Sequence, residues 1–169
     1  MKRQVKAVLI FISLFTVIAG AQSPAGDRTL VQETQARRYW VDTSGLMCAG
    51  KDNGKDVSWN KATKYCRDMR LAGYSDWRLA TIYELQDTYD ANLETPGLAG
   101  PGKGRAFTWH VRGGLLLSGV EWSSSRNHDE RGHPSGSAPR FDFNNGRRFN
   151  DDLGYDSGKR ALCVRRSGN

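Results

Sequence analysis

The sequence predicts an α+β fold. Short extended runs come first, two amphipathic helical segments follow, and long polar loops then alternate with further short extended runs. Helices are not interleaved with parallel strands, which separates this order from a doubly wound α/β sheet. The 169 residues include 19 Gly, 5 Pro and 5 Trp. Aromatic content is too high and net charge too low for a disordered chain.

The first residues are unlike the rest. Lys2, Arg3 and Lys6 precede an apolar run from Ala7 to Ile18, which ends in Ala19-Gly20-Ala21. A charged start, a short apolar middle and a small-residue exit describe a secretory signal peptide over residues 1–21. The run is shorter than the ~20 residues a membrane span needs. Cleavage after Ala21 leaves no later span, and an exported protein of the periplasm or the medium is expected. Three of the 25 basic residues lie in the leader, leaving 22 against 18 acidic ones. That surplus of positive charge is a mild bias towards acidic partners. Export argues against nucleic acid as one of them.

Residues 22–37 are polar without periodicity and read as a linker to a domain over residues 38–167. Arg38 to Asp42 and Gly45 to Ala49 read as two strands, followed by a turn cluster at residues 50–55. Ser58 stands at the N-cap of a helix running to about Arg70, with Trp59, Ala62, Cys66 and Met69 on one stripe. Gly73 suits the left-handed turn beyond it. Trp77 to Leu79 is a short extended piece. Thr81 and Glu84 have capping-box spacing, and a second helix carries Ile82, Leu85 and Tyr89 to about Asp90. Residues 91–106 form a long loop. Strands are expected over Phe107–Val111 and Gly119–Ser123, with a second loop from Ser124 to Ala138. Phe141-Asp142-Phe143 alternates, Asn145-Gly146 signals a hairpin, and Arg147–Asn150 returns. Ala161 to Arg165 is a last strand.

Several motifs in this series carry a resemblance. They are Gly45-Leu46-Met47, Trp59, Tyr65-Cys66, the string from Leu71 to Leu79, Glu121-Trp122-Ser123-Ser124, Phe141-Asp142-Phe143 with Asn145-Gly146, and Cys163-Val164-Arg165. The chain resembles the Lcl C-terminal domain family over roughly residues 40–166. The resemblance implies a C-type-lectin-like fold, related to that of formylglycine-generating and sulfatase-modifying enzymes. Two helices would flank a small antiparallel sheet, with long loops forming the ligand face. It implies a role in adhesion or ligand binding, with glycosaminoglycans and other polyanions as the best-known ligands. It also implies a staple from a helix cysteine to one on the last strand, here Cys66 with Cys163. Two positions depart from the family pattern: Cys48 stands where Trp is usual, and Ala80 where Pro is usual.

The odd cysteine, Cys48, reads as a small buried hydrophobe, since nothing nearby in sequence would lower its pKa. The thiol pair that binds copper in formylglycine-generating enzymes has no counterpart, because only Cys163 lies near the C-terminus. Asp76-Trp77-Arg78 reads as a core anchor whose charged neighbours tie loops together. His110, His128 and His133 match no zinc spacing. Asp151, Asp152 and Asp156 are calcium candidates on a Gly-containing loop, without EF-hand spacing. No cofactor is otherwise expected.

Arginine forks suit sulfate and carboxylate. Lys103, Arg105, Arg112, Arg126, Arg131, Arg140, Arg147 and Arg148 all sit on or beside the loops. By loop position and chemistry, not by resemblance, the ligand is expected to contact Arg126, Asn127, His128, Arg140, Asn144, Arg147 and Arg148. Replacing Arg147 and Arg148 by Ala is expected to weaken an anionic ligand. No nucleophile–base order, paired-carboxylate motif or phosphate loop stands out. The reading is therefore an exported, non-catalytic binding or adhesion domain for an anionic glycan or an extracellular protein. An envelope enzyme of unrecognised type and a structural envelope protein are the alternatives.

Overall fold

Leu46, Met47, Cys48 and Ala49 are all buried, so the strand they form has a core on each of its faces. A computed structural model describes residues 25–97 and 108–166, with side chains from residue 29. The leader, Lys103 and Arg105 lie outside the described residues.

In chain order the elements are α1 (Ala25–Arg37), β1 (Tyr39–Val41), β2 (Leu46–Ala49), α2 (Trp59–Asp68), β3 (Arg78–Leu79), α3 (Ile82–Thr88), β4 (Thr95–Pro96) and β5 (Thr108–Trp109). After a 3-10 turn (Arg112–Gly114) come β6 (Val120–Trp122), β7 (Ser137–Asp142), β8 (Arg147–Asp152), β9 (Lys159–Arg160) and β10 (Cys163–Arg166). One four-stranded sheet has the order β1-β2-β10-β3 and is antiparallel throughout. A second has the order β8-β7-β6-β9 and is antiparallel except for β6 against β9. Strands β4 and β5 pair alone. The class is α+β, as the sequence order predicts. No helix among the described residues is long and apolar enough to cross a membrane.

Strand β2 separates two apolar clusters. Leu46 and Cys48 join Ile82, Leu85, Phe141 and Phe143 on one side. Met47 and Ala49 join Ala62, Cys66, Trp77 and Trp122 on the other. Alternation along a strand sends successive side chains to opposite faces. Each Leu-sized side chain buried this way is worth about 1.5–3 kcal/mol. In β10 the same alternation sends Val164 to the first cluster and Cys163 to the second. There Cys163 meets Cys66 of α2, and the two form the disulfide. Cys48 remains a free, buried thiol. Burial raises its pKa, with Asp42 and Glu84 adding to the effect.

Two elements hold the charged residues of the middle of the chain. Trp77 is 2 % exposed and anchors its strand. Its neighbours pair outward as expected: Asp76 accepts from Arg165 (2.8 and 3.2 Å), and Arg78 donates two bonds to Glu84 (2.7 and 2.5 Å). The capping box at Thr81 and Glu84 is present, with both reciprocal bonds. Helix α2 starts after Ser58, although no Ser58 side-chain bond caps it.

The segment expected as a linker is instead helix α1, so the folded unit begins before residue 38. Thr34 donates to the Gly113 carbonyl at 2.6 Å. Gly113 and Gly114 make the docking possible. A Cβ on Gly114 would stand 2.7 Å from the Val31 backbone, and one on Gly113 would enter the Trp40 ring.

Candidate functional site

A cleft of about 820 Å³ opens between the end of α1, the β2–α2 connection and α2. Its cations come from three elements. Arg38 follows α1, Lys51 and Lys55 lie on the connection, and Lys61, Lys64 and Arg70 lie on or after α2. Residues 61, 64, 65 and 68 share one helical face, at the three- and four-residue spacing that makes side chains neighbours. The opposite stripe, Ala62 and Cys66, is buried. The helix therefore turns Lys61, Lys64 and Tyr65 to the cleft because its apolar stripe is consumed by the core.

The back wall is fixed by a close main-chain approach. Gln35 donates to the Gly50 carbonyl at 2.7 Å, and the Gly50 N–H donates to the Arg38 carbonyl at 2.8 Å. A Cβ on Gly50 would lie 3.1 Å from that carbonyl. Arg38 has φ 68°, a left-handed conformation that costs a non-glycine residue about 1–2 kcal/mol.

The connection carrying Lys51 and Lys55 is pinned by buried polar groups. Asp52 is 2 % exposed. It accepts from the Ser118 N–H (2.5 Å), the Ser118 hydroxyl and the Gly54 N–H (2.7 Å). Asn53 accepts from the Ala161 N–H at 2.8 Å and donates to the Lys55 carbonyl at 2.7 Å. Arg160 donates to the Ser118 hydroxyl at 2.7 Å and to Asp56. Behind Asp52 stands Glu121, fully buried, with no hydrogen-bond partner of good geometry on either oxygen. Burial, and then the Asp52 carboxylate, push the Glu121 pKa well above the usual carboxylate range.

This wiring decides the charge of the cleft. Its lining has two carboxylates, Asp56 and Asp68. Arg160 holds Asp56 and Lys64 holds Asp68, each below its ordinary pKa. Arg38, Lys51, Lys55, Lys61 and Arg70 enter no ion pair among the described residues. Four unmatched cations, with Arg70 held on the Arg67 and Met69 carbonyls beside them, thus surround a half-open cavity with Val57, Tyr65, Met69 and Leu71 as its apolar part. The described lining holds no His, Cys or Ser. Such a surface attracts anions through long side chains, with screening by salt.

The residues expected to form the site are exposed or engaged in contacts of their own. Arg126 lies 4.9 Å over the Trp59 ring and donates to the Ser135 carbonyl. Asn127 donates to the Ser137 hydroxyl at 2.9 Å. His128 is exposed and pairs with Pro134 across its loop. Arg140 donates to Asp151 and lies 4.5 Å over the Phe149 ring. Asn144 donates to the Thr108 carbonyl at 3.2 Å. Arg147 and Arg148 are exposed neighbours on β8, so strand alternation points them to opposite sides of the sheet. Arg126 and Asn127 tie their own loop together, Arg140 ties β7 to β8, and Asn144 ties the hairpin turn to β5.

The calcium candidates fare similarly. Asp151 is occupied by Arg140 and by Lys159 at 3.1 Å. Asp152 and Asp156 are exposed. Among the described residues, no three His, Cys, Asp or Glu side chains converge as a metal site.

The basic cleft was not read from the sequence, because Asp52, Asp56 and Asp68 lie among its lysines and suggest a neutral stretch. The available signal was the face shared by Lys61, Lys64 and Tyr65 opposite the buried Ala62 and Cys66.

The family model of the Lcl C-terminal domain matches residues 29–165. The match takes in most of α1, the two sheets and every cation of the cleft. No curated protein matches the chain.

Proposed function

The chain belongs to the Lcl C-terminal domain family, and on that premise we propose an exported, non-catalytic binding or adhesion domain for an anionic glycan. The observation that carries the reading is the set of unmatched cations around the cleft. Asp56 and Asp68 are already neutralised by Arg160 and Lys64, so an incoming anion meets a positive field. The fold fits the C-type-lectin-like expectation in its mixed architecture and in its disulfide from α2 to the last strand.

The enzyme alternative has less support. A general acid or base must be free to exchange a proton near the working pH. The carboxylates lining the cleft are held ionised by their cations. A structural envelope role would call for a flat apolar face, whereas the cleft is lined mainly by charged side chains.

The test is binding to an array of sulfated, carboxylated and neutral polysaccharides at low and high salt, with calcium and with chelator. Lys51→Ala with Lys61→Ala is expected to lower affinity for a sulfated polysaccharide about tenfold, at up to ~1 kcal/mol per exposed charge. Arg147→Ala with Arg148→Ala is the comparison. A loss confined to the strand pair would move the site to β8 and overturn the cleft. Binding only to acidic proteins would replace the glycan by a protein ligand, and turnover of any glycan would overturn the non-catalytic reading.

A further inference from the structure

Among the described residues, strand β8 is the outer strand of its sheet, with β7 on one side only. Five of its six residues are exposed. Its pairing with β7 runs unbroken from Asp142–Arg147 to Ser137–Asp152, without a bulge. The direction of its main-chain groups follows from its neighbours. Leu153 donates to the Gly136 carbonyl at 3.0 Å, one step beyond the ladder, and Ser123 donates to the Pro139 carbonyl from the β6 side at 3.1 Å. Alternation in an antiparallel ladder then turns the amides of Phe149 and Asp151 towards β7. Those of Arg148 and Asn150 face outward.

Open edges invite pairing, and proteins guard them with proline, bulges or repelling charge. Strand β8 has neither proline nor bulge, and its charges complement themselves. It reads Arg-Arg-Phe-Asn-Asp-Asp, basic at its start and acidic at its end. An antiparallel second copy sets each basic end beside the other's acidic end, where Asp152 enters no ion pair among the described residues and Asp151 is already shared by Arg140 and Lys159.

The register is restricted further. In a two-fold antiparallel pair the pleat allows only residues of equal parity to face each other. Centring the axis on Arg148 opposes two arginines. Centring it on Asn150 sets each Phe149 against a carboxylate. Centring it on Phe149 places the ring against its own copy, Arg147 against Asp151 of the partner subunit, and Arg148 against Asn150 of the partner subunit. Phe149 is 38 % exposed and already ordered by the Arg140 guanidinium stacked on it. A Phe149 pair in this register is not hydrogen-bonded through its backbone, the arrangement in which facing side chains come closest.

We propose that the protein forms a two-fold dimer through β8, joining two four-stranded sheets into one, with Phe149 on the axis. The inference is independent of what the cleft binds.

Sedimentation equilibrium of the purified protein over a wide concentration range tests it. A monomer–dimer equilibrium is expected, weakening as salt is raised. Asn150→Pro removes an outward-facing amide and leaves the ladder with β7 intact, so it is expected to abolish the dimer with the circular dichroism unchanged. Phe149→Cys is expected to give a disulfide-linked dimer on mild oxidation, and Arg148→Cys is not. The native thiols do not interfere, since Cys48 is buried and Cys66 is bridged to Cys163. A monomer at every concentration would overturn the proposal, as would a dimer indifferent to a folded Asn150→Pro. Cross-linking of the Arg148→Cys variant as fast as that of the Phe149→Cys variant would do the same, and this comparison needs no proline variant to fold.

Discussion

Two glutamates in this molecule answer pH in opposite directions. Glu84 is 8 % exposed. Burial alone would raise its pKa, but the Arg78 guanidinium and the Thr81 N–H and hydroxyl hold it down at about 2. Its stabilisation is therefore complete above the ordinary glutamate value of about 4.3 and is lost as pH falls towards 2. Glu121 is the reverse, since burial and Asp52 favour its protonated form. Below about pH 4 both the folded and unfolded chains carry that proton, and Glu121 then has no cost. As pH rises through 4.3 the unfolded chain loses the proton first, so folding is penalised. Glu121→Gln keeps the shape and removes the charge. It is expected to melt above the parent at neutral pH, with the advantage vanishing in acid. Glu84→Gln is expected to melt below the parent at neutral pH, by the ~2 kcal/mol of charge-assisted bonds, and again to converge in acid. Melting temperatures of the three proteins across pH 2–8 decide this, and a Glu121→Gln offset independent of pH would remove the carboxyl from the account. Thr81 and Glu84 were legible because their spacing is a local rule. Glu121 was not, because a glutamate in a short strand usually marks a solvent face. Only the packing of β6 between β7 and β9 shows otherwise.

At the scale of elements, what could be read depended on whether an element carries its own signal. Helix α2 was legible from its apolar stripe, and so was the β7–β8 hairpin from Asn145-Gly146. The hairpin is nonetheless wider than a two-residue turn, since its strands close at Asp142 and Arg147. Asp142 accepts from the Asn144 N–H at 2.9 Å and the Asn145 side chain at 3.0 Å, and Gly146 takes φ 68°. Gly146 also lies under Tyr89, where a Cβ would stand 2.7 Å from the ring. Gly146→Ala is therefore expected to cost about 1–2 kcal/mol from the backbone, with the Tyr89 contact adding to it. Urea unfolding measures this, and a loss below about half a kcal/mol would show that the turn and Tyr89 can move aside. Helix α1 escaped notice because its sequence has no apolar stripe and is held by glycines some 80 residues away, at the 3-10 turn. Strand β9 is two residues long and pairs in parallel with β6, a contact no local pattern encodes. The cleft shares this cause, because its charge depends on long-range pairings such as Arg160 with Asp56.

At the scale of the whole molecule, two apolar clusters share one sheet, and β10 lies in that sheet between β2 and β3. The disulfide joins β10 to α2 across a sequence separation of 97. Closing a loop of that length removes unfolded-state freedom worth about 4–5 kcal/mol on the chain-entropy account. The bridge was expected from resemblance alone, since three cysteines allow three pairings and spacing does not choose among them. The structure explains the choice: Cys66 and Cys163 face the second cluster, and Cys48 faces the first. The bridge also steadies the candidate site, because α2 carries Lys61, Lys64 and Tyr65 to the cleft. Replacing Cys66 and Cys163 together by Ala is expected to lower the melting temperature by roughly 10 °C or more. Affinity for a sulfated polysaccharide measured below that melting point should be retained, since α2 still buries Ala62 against the core. Reductant should leave the double variant unchanged and bring the parent towards it. A shift of a degree or two would show that the two cores hold β10 in place without the bridge. Lost affinity in a variant that remains folded would show that the bridge orients the lysine face of α2.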